Sequence, residues 1–258
     1  MNLSIFRAFL VAVAIGQPAW ANDAEAPNTQ TISYELRHST SKSTATGRNR
    51  ERLTHVLRYS KLLSDRSKGF FYLSTSSLDA TNPFGRSDAT LKGGGLGLTF
   101  QTGGFTTATV ALSFNDNAEV FNPGGGPTTS SGNAQTLVFG MQRLFGYGPR
   151  SYLTGSITHA VTRLKQDFGG GPTIDTRHIT TLSGIYAHQI GQQTLLNVGG
   201  RAVFSNDAFT SHLVKQANYA TLGIAHRMEY VTVSVQGSAG IGAVAGDRQV
   251  SFKIGYDF

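Results

Sequence analysis

Hydrophobic and polar residues alternate along this chain, most plainly in its last ten residues, Gln249-Val-Ser-Phe-Lys-Ile-Gly-Tyr-Asp-Phe258. Successive side chains of an extended strand point to opposite sides. Val250, Phe252, Ile254, Tyr256 and Phe258 therefore share one face, and Gln249, Ser251, Lys253, Gly255 and Asp257 share the other. The same alternation sets Ala108, Val110, Leu112 and Phe114 against Thr107, Thr109, Ala111 and Ser113. It sets Leu196, Val198, Ala202 and Phe204 against Asn197, Gly199 and Arg201, and Val231, Val233, Val235, Ala239 and Ile241 against Thr232, Ser234, Gln236 and Ser238. The run Phe70-Phe-Tyr-Leu-Ser-Thr-Ser-Ser reads as extended without choosing a face. Together these patterns predict strands over 31–38, 52–63, 69–78, 88–101, 105–115, 134–145, 151–165, 178–190, 194–205, 216–229, 231–244 and 249–258.

The linkers add an independent constraint. They cover 39–51, 64–68, 79–87, 102–104, 116–133, 146–150, 166–177, 191–193, 206–215, 230 and 245–248, and long ones alternate with short ones. Transmembrane barrels have short periplasmic turns, longer outer loops and an even number of antiparallel strands. Twelve strands meet that rule if Phe258 points into the periplasm. Aromatic residues then gather at the periplasmic strand ends as an interfacial girdle: Phe70, Phe71, Phe100, Phe105, Phe145, Tyr147, Tyr152, Tyr230 and Tyr256.

The N-terminus fits export. Residues 1–21 carry Arg7, an apolar run from Phe9 to Ile15, and the small-x-small site Ala19-Trp20-Ala21, which together read as a secretory signal peptide. No later stretch reaches the roughly 18 apolar residues of a spanning helix. Residues 22–30 form a short polar periplasmic leader, and 31–258 the barrel. Without residues 1–21 the chain keeps 21 Lys+Arg against 15 Asp+Glu. It has no cysteine, and its 31 Gly, 16 Phe and 9 Tyr beside 14% charged residues suit strands greasy outside and crowded within.

On the ladder Val250, Phe252, Ile254, Tyr256, Phe258, the chain resembles bacterial outer-membrane β-barrels, and in strand count it is most similar to the autotransporter translocator-barrel class. The ladder matches that group's C-terminal assembly signal. The resemblance implies a 12-stranded antiparallel transmembrane β-barrel in the outer membrane of a Gram-negative bacterium, inserted by the barrel-assembly machinery. That class in full form exports an N-terminal passenger. The leader 22–30 offers neither a passenger nor a linker helix, so secretion is not the expected role.

The inner face is predicted to carry Glu35, Arg37, Arg58, Arg201, Arg227, Glu229, Lys253 and Asp257. Charges in a narrow interior need partners, so one reading is a paired network that fills the barrel. The other is a small pore whose excess cations favour anions. About eight strands leave room only for side chains and about sixteen leave a water channel, so twelve fall between. A second basic set is predicted in outer loops and strand tops: Lys42, Arg48, Arg50, Arg52, Arg86, Arg163 and Lys165, with Arg177, Lys215 and Arg248. One reading pairs these charges with the phosphates of the outer-leaflet lipopolysaccharide, and the other leaves them as ordinary solvated loop charge. Scattered over separate loops and not interleaved with aromatics, they do not form a nucleic-acid surface.

Catalysis and cofactors find little support in the sequence. Outer-membrane phospholipases and lipid A deacylases are also twelve-stranded, and the phospholipases place His and Ser two residues apart on one strand face. Here Thr40 follows His38 at that spacing, Val161 follows His159, Ile190 follows His188 and Met228 follows His226. No Cys, His-x-x-His or His-Glu-x-x-His supplies metal-ligand spacing. The triple glycines at 93–95, 124–126 and 169–171 lack the strand, helix and lysine of a phosphate loop, and Gly93–Gly95 read as thinning a strand. The expected role is a small channel-like or structural envelope protein without cofactor or catalysis. A lipid-modifying enzyme, an adhesin reading through 39–51 and 116–133, and a soluble periplasmic barrel are the alternatives.

Overall fold

The computed structural model describes residues 30–258 apart from 44–46, 83–84, 124–127, 149, 168–170 and 210–212, and leaves the side chains of a few neighbouring residues undescribed. The signal peptide 1–21 and nearly all of the leader 22–30 lie outside the described residues. The described residues form twelve strands: β1 Gln30–Ser43, β2 Arg48–Ser64, β3 Ser67–Asn82, β4 Gly85–Gly103, β5 Thr106–Pro123, β6 Thr128–Gly148, β7 Ser151–Asp167, β8 Pro172–Ile190, β9 Thr194–Phe209, β10 Val214–Met228, β11 Val231–Ile241 and β12 Arg248–Asp257. Each is antiparallel to its chain neighbour, and β12 returns to β1 to close the barrel. At the seam the Gln30 N–H donates to the Phe258 carbonyl (3.2 Å) and the Phe258 N–H to that of Gln30 (3.1 Å). Closure satisfies every strand edge, and only closure lets extended backbone sit in hydrocarbon.

The alternation decides which way each strand faces. Leu57, Phe71, Leu73, Leu96, Met141, Val198, Leu222 and Val250 are among many large apolar side chains exposed on the outside. Such a band is ruinous in water and suits lipid. The inner face is small and hydroxylated. There Thr54 meets Ser76 (2.9 Å), Thr136 meets Thr162 (3.0 Å) and Ser156 meets Ser183 (2.6 Å), tying adjacent strands by cross-strand hydroxyl pairs.

β3 does choose a face. Phe70, Tyr72, Ser74 and Ser76 point inward, and Phe71 and Leu73 point outward. Phe70 pairs across the ladder with Gly97, and Tyr72 with Gly95. A Cβ on Gly97 would lie 2.5 Å from Phe70 Cζ, and one on Gly95 would lie 2.7 Å from Tyr72 Cε1. The glycines thin β4 so that two rings can lie flat against the inner wall. Phe70 (8% exposed) therefore leaves the predicted girdle, as does Tyr152, which packs inward against Ala187, Leu195 and Ala225. Phe71, Phe100, Phe105, Phe145, Tyr230 and Tyr256 keep their outward, exposed positions. The side chain of Tyr147 lies outside the described residues.

The strand tops differ from the sequence reading. The stretch 39–51 is not a loop: β1 runs to Ser43 and β2 starts at Arg48, in unbroken register from Ser43↔Arg48 down to Ser39↔Arg52. Likewise β5 and β6 pair from Phe121↔Thr128 through what reads as the loop 116–133, and β7 and β8 pair from Asp167↔Pro172. Backbone ladders persist above the apolar band because their hydrogen bonds do not depend on an apolar face. The strand predicted over 231–244 ends at Ile241. Gly242, at φ 67, starts a 3-10 turn, Gly242–Val244, that folds into the barrel. Val244 ends 1% exposed against Val203, Ala217 and Tyr219.

Candidate functional site

The inward faces enclose a cavity of about 520 Å3. Its lining reaches from Tyr152 and Leu195 toward the end that carries Gln30 and Phe258 to Arg50, Val244 and Arg248 toward the opposite end. Register builds its charged wall. Glu35 on β1 lies opposite Lys253 on β12, Arg37 opposite Ser251, and on β2 Arg58 lies opposite Ser33 and Arg52 opposite Ser39. Arg37 donates from Nη2 (2.7 Å) and Nε (3.1 Å) to Glu35 Oε1. Arg58 stacks on the Phe70 ring, its Cζ 4.0 Å from the centroid. From β9, Arg201 covers the Tyr219 ring at 4.5 Å, and the Tyr219 hydroxyl donates to Asp247 Oδ2 at 3.1 Å. Arg–aromatic stacking holds a guanidinium in place without cancelling its charge.

Five of the eight predicted lumen charges, Glu35, Arg37, Arg58, Arg201 and Lys253, line this cavity. Asp257 sits at the barrel end where the strand seam closes and accepts from Thr31 Oγ1 (2.8 Å). Arg227 shares the inner face of β10 but lies at its C-terminal end, outside the cavity lining. Glu229 is misplaced by the sequence reading. β10 stops at Met228, and Glu229, at φ 20 and exposed, forms the tight turn into β11.

The second basic set divides. Arg50 and Arg52 line the lumen instead of facing lipid, because they share β2 parity with Thr54 and Arg58. Arg48 shares that parity at the strand top, where it is half-buried. Arg177 is also inward and buried, 3.7 Å from Asp175. Arg86 is outward and bridges Asp79 (2.6 Å) and Asp88 (3.4 Å). Lys42, Arg163 and Lys165 are outward and exposed above the apolar band. Residues 50, 52, 54, 56 and 58 alternate in the sequence, so the inward turn of Arg50 and Arg52 was legible once β2 is extended upward. Lys68, whose Nζ reaches Thr31 Oγ1 at 3.5 Å, is a further inward cation that sequence reading missed.

In the C-terminal ladder Val250, Phe252, Ile254, Tyr256 and Phe258 are all exposed on the outside. Tyr256 stacks on Phe258 with ring centroids 5.9 Å apart. The six described histidines also face outward, and five have polar partners. His55 Nδ1 lies 2.6 Å from the Tyr34 hydroxyl, His188 Nδ1 2.8 Å from Ser151 Oγ, His159 Nδ1 2.9 Å from Thr180 Oγ1 and His226 Nδ1 2.9 Å from Thr194 Oγ1. His38 Nε2 meets Glu51 at 2.9 Å. A hydroxyl on the adjacent strand satisfying a lipid-side imidazole is how such a polar tip is tolerated. Among the described residues no group of three or more His, Cys, Asp or Glu could hold a metal.

No protein-family model matches the chain, and no curated protein sequence matches it significantly. Solved structures do. The translocator domain of the autotransporter NalP from Neisseria meningitidis matches with a TM-score of 0.78 at 11% identity, over 90% of this chain and 89% of that one. The fold is that of an autotransporter translocator barrel. The β domain of the Bordetella autotransporter BrkA follows at TM-score 0.66 and 11% identity, over 89% of this chain and 100% of its own. The Pseudomonas putida toluene transporter TodX matches at 0.51 and 12%, over 90% of this chain and 89% of that one. At such identities the likeness speaks for the barrel alone.

Proposed function

We propose that this protein is an integral outer-membrane barrel of a Gram-negative bacterium that serves as a narrow, anion-favouring channel. The observation that supports it is the composition of the lumen. Arg37, Arg50, Arg52, Arg58, Arg201 and Lys253 line one cavity with Glu35 and Asp247 as its acids. A cationic lining lowers the barrier for anions and raises it for cations. The barrel works without a cofactor and without covalent chemistry. The signal peptide exports it, the barrel-assembly machinery reads its C-terminal ladder, and lipopolysaccharide surrounds its outer half. That structures of the same fold include a toluene transporter fits a conducting barrel.

Planar-bilayer recording tests the reading. The purified protein gives small single-channel steps whose reversal potential in a KCl gradient reports chloride over potassium. Replacing Arg201 and Arg58 with Gln lowers that preference several-fold. An absence of steps at every voltage, or steps that favour potassium, would overturn the channel and leave a structural envelope barrel.

A further inference from the structure

The cations of the lumen are not evenly spread. On the inner face of the β1–β2 ladder Arg37 pairs with Thr54, and Arg52 stands two residues above Thr54. The two arginines are thus diagonal neighbours on one face, where such positions lie roughly 7–8 Å apart. Arg201, from β9, lines the same cavity. Three guanidiniums therefore face one cavity. The carboxylates near them are occupied, Glu35 by Arg37 and Asp247 by the Tyr219 hydroxyl.

Two of the three guanidiniums keep free donors. Arg52 gives Nη2 to Ser76 Oγ (3.0 Å), yet its buried Nε has no acceptor in the protein. Arg201 is held flat by the Tyr219 ring, and its buried Nε also has no protein acceptor. Buried charged donors without acceptors are costly, and like charges gathered in one chamber repel. Both costs are relieved by the same ligand, an anion with several oxygens. Guanidinium forks grip paired oxygens of a phosphate or carboxylate, whereas a halide offers a single centre.

From this juxtaposition we infer that Arg52, Arg37 and Arg201 form a binding site for a small multivalent oxyanion of the phosphate type. The inference rests on the channel reading only for a lumen open to water. It deepens that reading by making the lumen a selective way-station for phosphate and not a general anion hole.

Inorganic phosphate is the probe, used in two ways on the full-length protein. In bilayers, phosphate added to a chloride current interrupts it at concentrations well below those of chloride. Arg52→Gln and Arg201→Gln each raise the half-blocking concentration roughly tenfold, the loss expected for one charge-assisted hydrogen bond. Arg143→Gln, on the outer surface beside Phe145, leaves it unchanged. Chloride steps that ignore phosphate, or that are blocked equally in wild type and both variants, overturn the site while the channel stands. If no steps occur, the channel falls, and calorimetric titration of the detergent-held barrel with phosphate decides the site alone. Saturable heat that weakens about tenfold in both variants supports it. No heat from the wild type, or unchanged affinity in variants that keep the wild-type β-sheet circular dichroism, overturns it.

Discussion

The two walls of the lumen are built for different purposes. Among the described residues, the charged ones lining the cavity come from β1, β2, β9, β12 and Asp247 just before β12, whereas β3 to β8 line it with side chains such as Tyr72, Leu91, Asn115, Val138, Thr154 and Ser183. The charged wall is held by stacked rings and a salt bridge that fix its cations toward the lumen, as with Arg58 over Phe70 and Arg201 over Tyr219. The neutral wall is held by close packing: glycines admit the aromatic rings, Phe70, Ala111 and Val138 form one cluster, and Thr136 is fully buried. Selectivity and stability are thereby separated. Damage to one wall registers in a different measurement from damage to the other.

The largest effect is expected on the neutral wall. Gly97→Val would place a Cβ 2.7 Å from the Val110 carbonyl and 2.5 Å from the Phe70 ring. Overpacking of this kind costs about 3 kcal/mol, because the obstacle includes backbone as well as side chain. The urea midpoint of the refolded barrel falls accordingly, or refolding fails. Adding Phe70→Ala recovers only part of the loss, since the carbonyl remains. A variant with the wild-type midpoint would show that the wall is not packed as described.

On the charged wall the stability effect is smaller and the electrical effect larger. Arg58→Ala removes a cation stacked on Phe70, worth about 1–2 kcal/mol where partly desolvated. It also lowers chloride preference measured by reversal potential. Thr136→Val supplies the converse: it breaks the buried hydroxyl pair with Thr162 and costs about 1 kcal/mol. Its selectivity matches wild type. If Thr136→Val shifted the reversal potential as far as Arg58→Ala, the separation of the two walls would fail.

How much of this was legible depended on where lipid acts. Within the apolar band, lipid demands grease on one face, so the period-two signal is strong and all twelve strands show themselves, from Val110 and Phe114 to Val250 and Phe252. Above the band both faces meet water. The run Ser39-Thr-Ser-Lys-Ser43 alternates nothing, so an unbroken ladder reads as a loop and Arg50 and Arg52 read as outward. β3 fails for another reason: Phe70 and Tyr72 point inward only because Gly97 and Gly95 stand opposite, a fact of register that no single strand contains. Glu229 differs by one residue of strand length. The folding-in of Val244 depends on Gly242 taking a left-handed conformation, for which the local pattern gives no sign.

The smallest effect tests a third surface against the two walls. Arg86 is bound to two aspartates, whereas Arg163 and Lys165 stand exposed side by side on β7, opposite Gln135 and Asn133 of β6. If such charges serve lipid phosphate, the exposed pair matters and the neutralised one does not. Exposed ion pairs contribute about 0–1 kcal/mol, so Arg163→Gln with Lys165→Gln lowers the melting temperature by roughly 2 °C in vesicles containing lipopolysaccharide. In vesicles of neutral phospholipid it changes nothing, and Arg86→Gln has no lipid-dependent effect in either. Equal shifts in both vesicle types would assign these residues to the strand itself, because only an interaction with lipid charge can depend on which lipid is present.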